Sequence, residues 1–262
     1  MIQIICYMVT FLSCIIGTIC GMGGGIIIKP VLDATGVMSV ATITFLSGCT
    51  VIAMTCWSVG KAIVHKEMVI DLKNTTYLAI GAAAGGLVGK QLYTMVASLF
   101  ADKNMAGGVQ ACLLFAATLA TFIYTLNKDK ITSKQVNSPI VGLLIGVLLG
   151  ILGSFLGIGG GPFNVAVLYY FFSMPTKKAT QNSLYIVLFS QLASTLKTAA
   201  FEGIPVFDAA ILAGMVILGI AGSEFGRRIN KKIDNKQATI CLEGAMILIM
   251  GINIYNMIKF FG

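Results

Sequence analysis

Charge is scarce in this chain. Of its 262 residues only 11% are charged, 18 Lys and Arg against 10 Asp and Glu. A soluble globular protein carries about 25%, so too few charged side chains exist to cover a water-facing surface of this size. Histidine is nearly absent, His65 being the single copy, which removes most His-based metal and triad chemistry. The seven cysteines form no C-x-x-C and lie in or beside apolar runs. They read as small buried residues rather than a redox or metal set. No basic n-region or A-x-A cleavage site marks the N-terminus, so the first apolar run is expected to be retained. These shortages exclude a soluble enzyme, a disordered chain and a nucleic-acid-binding domain.

What is abundant is apolar surface, at 57% of residues, together with 30 Gly. Glycine at this level suits helices that approach closely in lipid. Lys and Arg sit in short gaps between apolar runs, where lipid headgroups would meet them. Since a helix needs roughly 20 apolar residues to cross a bilayer, the polar gaps divide the chain into eight candidate runs: 2–20, 39–64, 75–100, 105–127, 139–156, 179–200, 206–229 and 238–260. The expected fold class is an all-α integral membrane protein with about eight transmembrane helices. The expected location is a cell membrane, crossed several times. A slight excess of Lys and Arg on the inner side favours both termini outside.

An internal repeat is plain. GTICGMGGGIIIKPVL at Gly17 is answered by GSFLGIGGGPFNVAVL at Gly153, and Lys61, Asp71 and Gly89 by Lys197, Asp208 and Gly226. The chain therefore reads as two pseudo-symmetric four-helix repeats, 1–127 and 138–262, joined by a polar linker, 128–137. An even number of crossings per half predicts that the repeats run in the same sense, unless the glycine motif is a re-entrant hairpin.

The glycine motif carries the strongest functional signal. Three consecutive glycines break a helix, each costing about 1 kcal/mol against Ala, and a break in lipid must be buried or line a cavity. A short apolar run resumes after each, with Pro162 suited to a first helical turn. Each break then offers helix N-terminal N–H groups to an anion, and two related breaks fit a transporter's central site. Tight helix packing is the plainer use of the same glycines. A P-loop is excluded, because neither copy ends in Lys-Ser or Lys-Thr.

The candidate substrate-binding residues follow from this pattern: Gly21, Gly23, Gly24 and Gly25, then Gly157, Gly159, Gly160, Gly161 and Asn164. Lys29 is an ionisable residue in an apolar stretch, a functional candidate or a snorkelling side chain. Thr42 and Thr44 align with Thr180 and Asn182, flanked by Gln181 and Ser183. Their neutral donors suit a partly dehydrated oxyanion, or interhelical hydrogen bonds. Glu224 and Glu243 are the candidates for proton coupling, with a salt bridge to Arg227 or Arg228 the alternative for Glu224. Asp71 and Asp208 read as helix N-caps. Gly85/Gly89 and Gly222/Gly226 read as packing stripes.

The duplicated G-x-G-G-G, with Pro30 and Leu32 after the first copy, resembles the sulfite exporter TauE/SafE family. The likeness extends to Asp71 and Asp208, to Gly89-Lys90 and Gly226-Arg227, and to the AT-x-x-S-L of 179–184. It implies an eight-helix permease of the cell (inner) membrane that exports sulfite or an organosulfur acid such as a sulfonate. The second copy departs at Ala166, and the family's Thr-Ser pair becomes Thr44-Phe45 and Asn182-Ser183. A membrane-embedded enzyme would need a catalytic cluster that this sequence lacks, and a structural membrane subunit would not need broken helices. No cofactor or metal is expected. The expected partners are a small anion and the bilayer, with no nucleic acid, and the chain a monomer or homodimer.

Overall fold

The computed structural model describes residues 2–65, 70–100, 103–136 and 138–261, so the outer bounds Met1 and Gly262 of the expected repeats lie outside the described residues. Its regular structure there is entirely helical. Ten α-helices follow in order: α1 (Ile2–Cys20), α2 (Gly25–Thr35), α3 (Val40–Val64), α4 (Leu72–Ser98), α5 (Lys103–Asn127), α6 (Pro139–Phe155), α7 (Pro162–Phe172), α8 (Thr176–Lys197), α9 (Ala209–Lys232) and α10 (Asn235–Phe261). Among the described residues, six helical stretches are long and apolar enough to span a membrane. They are α1, α3, the part of α5 from Met105, α8 with its continuation to Phe201, α9 and α10.

Eight of the ten helices answer the eight runs, and the other two, α2 and α7, are the short runs after the glycine breaks, where the chain turns back. Met22 N–H donates to Gly17 O, and Ile158 N–H to Gly153 O, both at 3.0 Å. The same φ values recur at the turn, +69° and +70° at Gly21 and Gly23, +70° at both Gly157 and Gly159. Only glycine adopts these without strain. Each reversal starts an 11-residue helix, α2 or α7, about 16 Å long. Pro162 takes the first position of α7, where its missing N–H costs nothing.

Helix directions follow from paired contacts. On α1 and α9, Gln3 meets Asp208, Tyr7 meets Ala210 and Thr18 meets Ser223, so these two helices run parallel. Helix α3 shares their direction, with Thr42 near Val206 and Lys61 at Glu224. Helix α8 runs the other way, since Ser183 reaches Gly21 at the far end of α1 while Gln191 packs on Gly48 early in α3. Helix α4 accompanies α8, through Thr75 with Asn182 and Leu87 with Lys197. Helix α6 accompanies α4 in turn: Gly81, Gly85 and Gly89 lie on the backbone of Leu143, Val147 and Ile151. Helices α1 and α6 are therefore antiparallel. This corrects the expectation of halves running in the same sense. The returning half-helix makes five elements before the linker, and an odd number reverses direction.

The backbone approach of α4 to α6 tolerates no Cβ at these glycines, and Gly222 and Gly226 lie as closely on Phe11 O and Ile15 O of α1. Such small-residue seams let van der Waals contact replace the missing hydrophobic drive in lipid. Asp71 and Asp208 cap α4 and α9 by accepting from Asn74 N–H and Ala210 N–H.

Candidate functional site

The two short helices begin head to head. A Cβ on Gly25 would stand 3.5 Å from Ile158 O, and one on Gly161 would stand 3.0 Å from Ile26 Cδ1. From this meeting point α2 runs back towards the face that holds the start of α1. Helix α7 runs towards the opposite face, where the linker lies. Two positive helix ends thus converge inside the bundle. Val51 and Val187 flank them, both within 3.4 Å of a Cβ placed on Gly23.

The surroundings of the two breaks differ. At the first, Gly24 N–H donates to Met54 Sδ at 3.2 Å, and Gly21 lies directly on the Thr180 backbone. Ser183 Oγ donates to Gly21 O. This break is sealed. At the second, Asn164 is 1% exposed, and neither atom of its amide has a hydrogen-bond partner. Gly157 faces the stem of Lys29 and the methyl of Thr44, at 3.1 Å and 3.4 Å from a placed Cβ, and Gly159 abuts the Gln191 amide.

Thr44 and Gln191 also line a cavity of about 180 Å³, together with Lys90, Tyr93, Ser194 and Thr195. Lys90 Nζ lies 5.6 Å from the Tyr93 ring centre. The cavity lining carries one ammonium, four Ser and Thr hydroxyls, Thr198 among them, and an amide. Such donors can replace part of an anion's hydration shell.

The other candidates are distributed as follows. Lys29 is 4% exposed and pairs with Asp33 at 2.8 Å. Thr42 bonds to Ser39 and Val206 O at the start of α3, away from the breaks. Thr44, facing Gly157, is the structural counterpart of Thr180 facing Gly21, two residues out of the register that the sequence suggests. Asn182 is fully engaged: its Oδ1 accepts from Asp71 N–H and Thr75 Oγ1, and its Nδ2 donates to Lys178 O. It clamps α8 to the start of α4. Gln181 is half-buried on the same turn. Glu224 accepts from Trp57, Lys61, Arg227 and Arg228, tying α3 to α9 near the linker face, while Glu243 stands half-buried on α10. Sequence reasoning passed over Gln191 and Asp33. For Asp33 the signal was present, since its spacing of four from Lys29 puts both on one helical face.

A family model described as Sulfite exporter TauE/SafE matches residues 6–254. The chain belongs to the sulfite exporter TauE/SafE family. This is a family of membrane transporters, and the paired helix breaks lie within the matched region. A curated relative is the Probable membrane transporter protein YunE of Bacillus subtilis (strain 168). It is 22% identical over 255 residues, covering 89% of this chain and 90% of that protein. No solved structure matches the chain significantly.

Proposed function

We propose that this family member is a permease for a small oxyanion, sulfite or an organosulfur acid, built as two inverted repeats whose broken helices form the anion's path. The observation that carries this reading is the head-to-head start of α2 and α7 beside a donor-rich cavity holding Lys90. Inverted repeats with broken helices meeting at mid-depth are a recurring transporter plan. The reciprocal packing supports it: α1 packs on α9 as α6 does on α4, and α2 packs on α10 as α7 does on α5.

In this reading the anion enters the cavity from the α1-start face and meets Lys90, Thr44 and Gln191. It then reaches Asn164 and the N–H groups at the start of α7. Charge-assisted hydrogen bonds contribute about 1.5–3 kcal/mol each, so a few fixed donors hold a small anion without trapping it. Val51 and Val187 separate this site from the sealed first break.

The test is flux of labelled sulfite and several sulfonates into vesicles. Asn164→Leu removes an unpaired buried amide, so the protein should stay folded while flux falls at least tenfold. Lys90→Gln should raise the half-saturating anion concentration. Normal flux and selectivity in both folded variants would overturn the reading.

A further inference from the structure

A second, smaller cavity lies beside the second break, between α2, α5 and α10. Its volume is about 10 Å³, and its lining includes Lys29, Asp33, Gln110, Asn253, Asn256 and Leu156, the residue before Gly157. Asp33, Gln110 and Asn256 are all more than nine-tenths buried. Each holds a side-chain oxygen with no hydrogen-bond partner: Asp33 Oδ1, Gln110 Oε1 and Asn256 Oδ1. The amide orientations are not arbitrary. Gln110 Nε2 donates to Phe155 O at 2.6 Å and Asn256 Nδ2 to Pro30 O at 2.9 Å, so the oxygens are what remains for other partners.

Three buried acceptors in one cavity, with only the Lys29 ammonium as a charged donor among its lining residues, call for a hydrogen-bond donor or a cation as occupant. A space of this size holds one water or one small dehydrated ion. Hard cations take carboxylate and amide oxygens. One carboxylate, already shared with Lys29 at 2.8 Å, is too little charge to hold a divalent ion out of water.

We infer that this cavity is a site for a small monovalent cation such as sodium, and that the cation competes with Lys29 for Asp33. The stem of Lys29 lies against Gly157, beside Thr44 and the anion cavity. A cation on Asp33 frees the ammonium to turn towards the anion, and loss of the cation returns it. This coupling deepens, and rests on, the anion-permease reading. The cation site itself does not depend on it.

Thermal unfolding of the purified full chain, with sodium chloride replaced by choline chloride at constant ionic strength, tests the site without transport. Sodium should raise the midpoint saturably, and Gln110→Leu should abolish the rise. Lys29→Met frees the second Asp33 oxygen, so its half-saturating sodium concentration should fall roughly tenfold, while sulfite flux into vesicles is lost. A merely structural lysine would not move sodium affinity in that direction. By reciprocity, sulfite and sodium should tighten one another by the same factor, within roughly 5–150-fold. Equal midpoints in sodium and choline would mean a resident water and overturn the inference, even where sulfite flux remains. A sodium shift unchanged by Gln110→Leu, or weakened by Lys29→Met, would overturn it equally. A normal sodium shift with no anion flux would overturn the coupling and the permease reading, leaving the cation site.

Discussion

The two glycine breaks open with one turn and sit in two environments. Their φ angles agree within a degree at the first two turn glycines, and the same hydrogen bond closes each hairpin. Yet the first is shut by Thr180, Ser183 and Met54, while the second keeps an unpaired Asn164 and borders the larger cavity. The difference continues outwards. At the linker face Lys61 pairs with Glu224, which also holds Arg227 and Arg228. Its repeat counterpart Lys197 meets Leu87 O and the Gln91 amide, with no carboxylate among the described residues. A duplicated motif repeats its fold because glycine dictates φ locally. Access is set by side chains from neighbouring helices, and these have diverged.

The sharpest way to break this comparison is to add the same methyl group to both turns. At Gly21 it meets positive φ and the Thr180 backbone, which cannot yield. Gly21→Ala should cost roughly 3–5 kcal/mol of stability. At Gly157 the φ penalty is the same, but the neighbours are the flexible Lys29 stem and a Thr methyl. Gly157→Ala should cost roughly 1–3 kcal/mol. Unfolding midpoints in detergent compare the two, and equal losses would mean that both breaks are equally sealed.

A smaller effect separates structural from transport polarity on α8. Asn182→Ala strips an acceptor from Asp71 N–H and Thr75 Oγ1, at about 1–3 kcal/mol. The midpoint should fall while the half-saturating sulfite concentration of the folded protein stays unchanged. A changed anion affinity at normal stability would put Asn182 at the site after all.

The smallest effect is expected at Thr42. Its hydroxyl bonds only to Ser39 and Val206 O among the described residues, so Thr42→Val should cost about 1 kcal/mol and leave vesicle flux unaltered. Altered flux would sharpen the map by extending the anion's path to the start of α3.

These cases mark where sequence reading succeeds. Glycine runs, proline at a helix start and Asp before a helix act on the residues next to them. The breaks, α7 and the caps of α4 and α9 were therefore legible. The Lys29–Asp33 spacing was legible too, though its meaning needed the facing oxygens of α5 and α10. The roles of Asn182 and Thr42 were not, because a neutral polar side chain in an apolar helix serves a neighbour or a ligand equally well. Only the neighbour's position decides.

The sequence alone determined a membrane-embedded, all-helical chain with a duplicated glycine break, because composition and backbone freedom are local properties. Tertiary structure decided the antiparallel course of α1 and α6, since a short apolar run counts as an element only once it is seen to turn back. It also decided which break is sealed and where the buried oxygens gather. Those outcomes depend on distances between residues far apart in the chain, as between Gly21 and Ser183 or Pro30 and Asn256, and no local pattern encodes them.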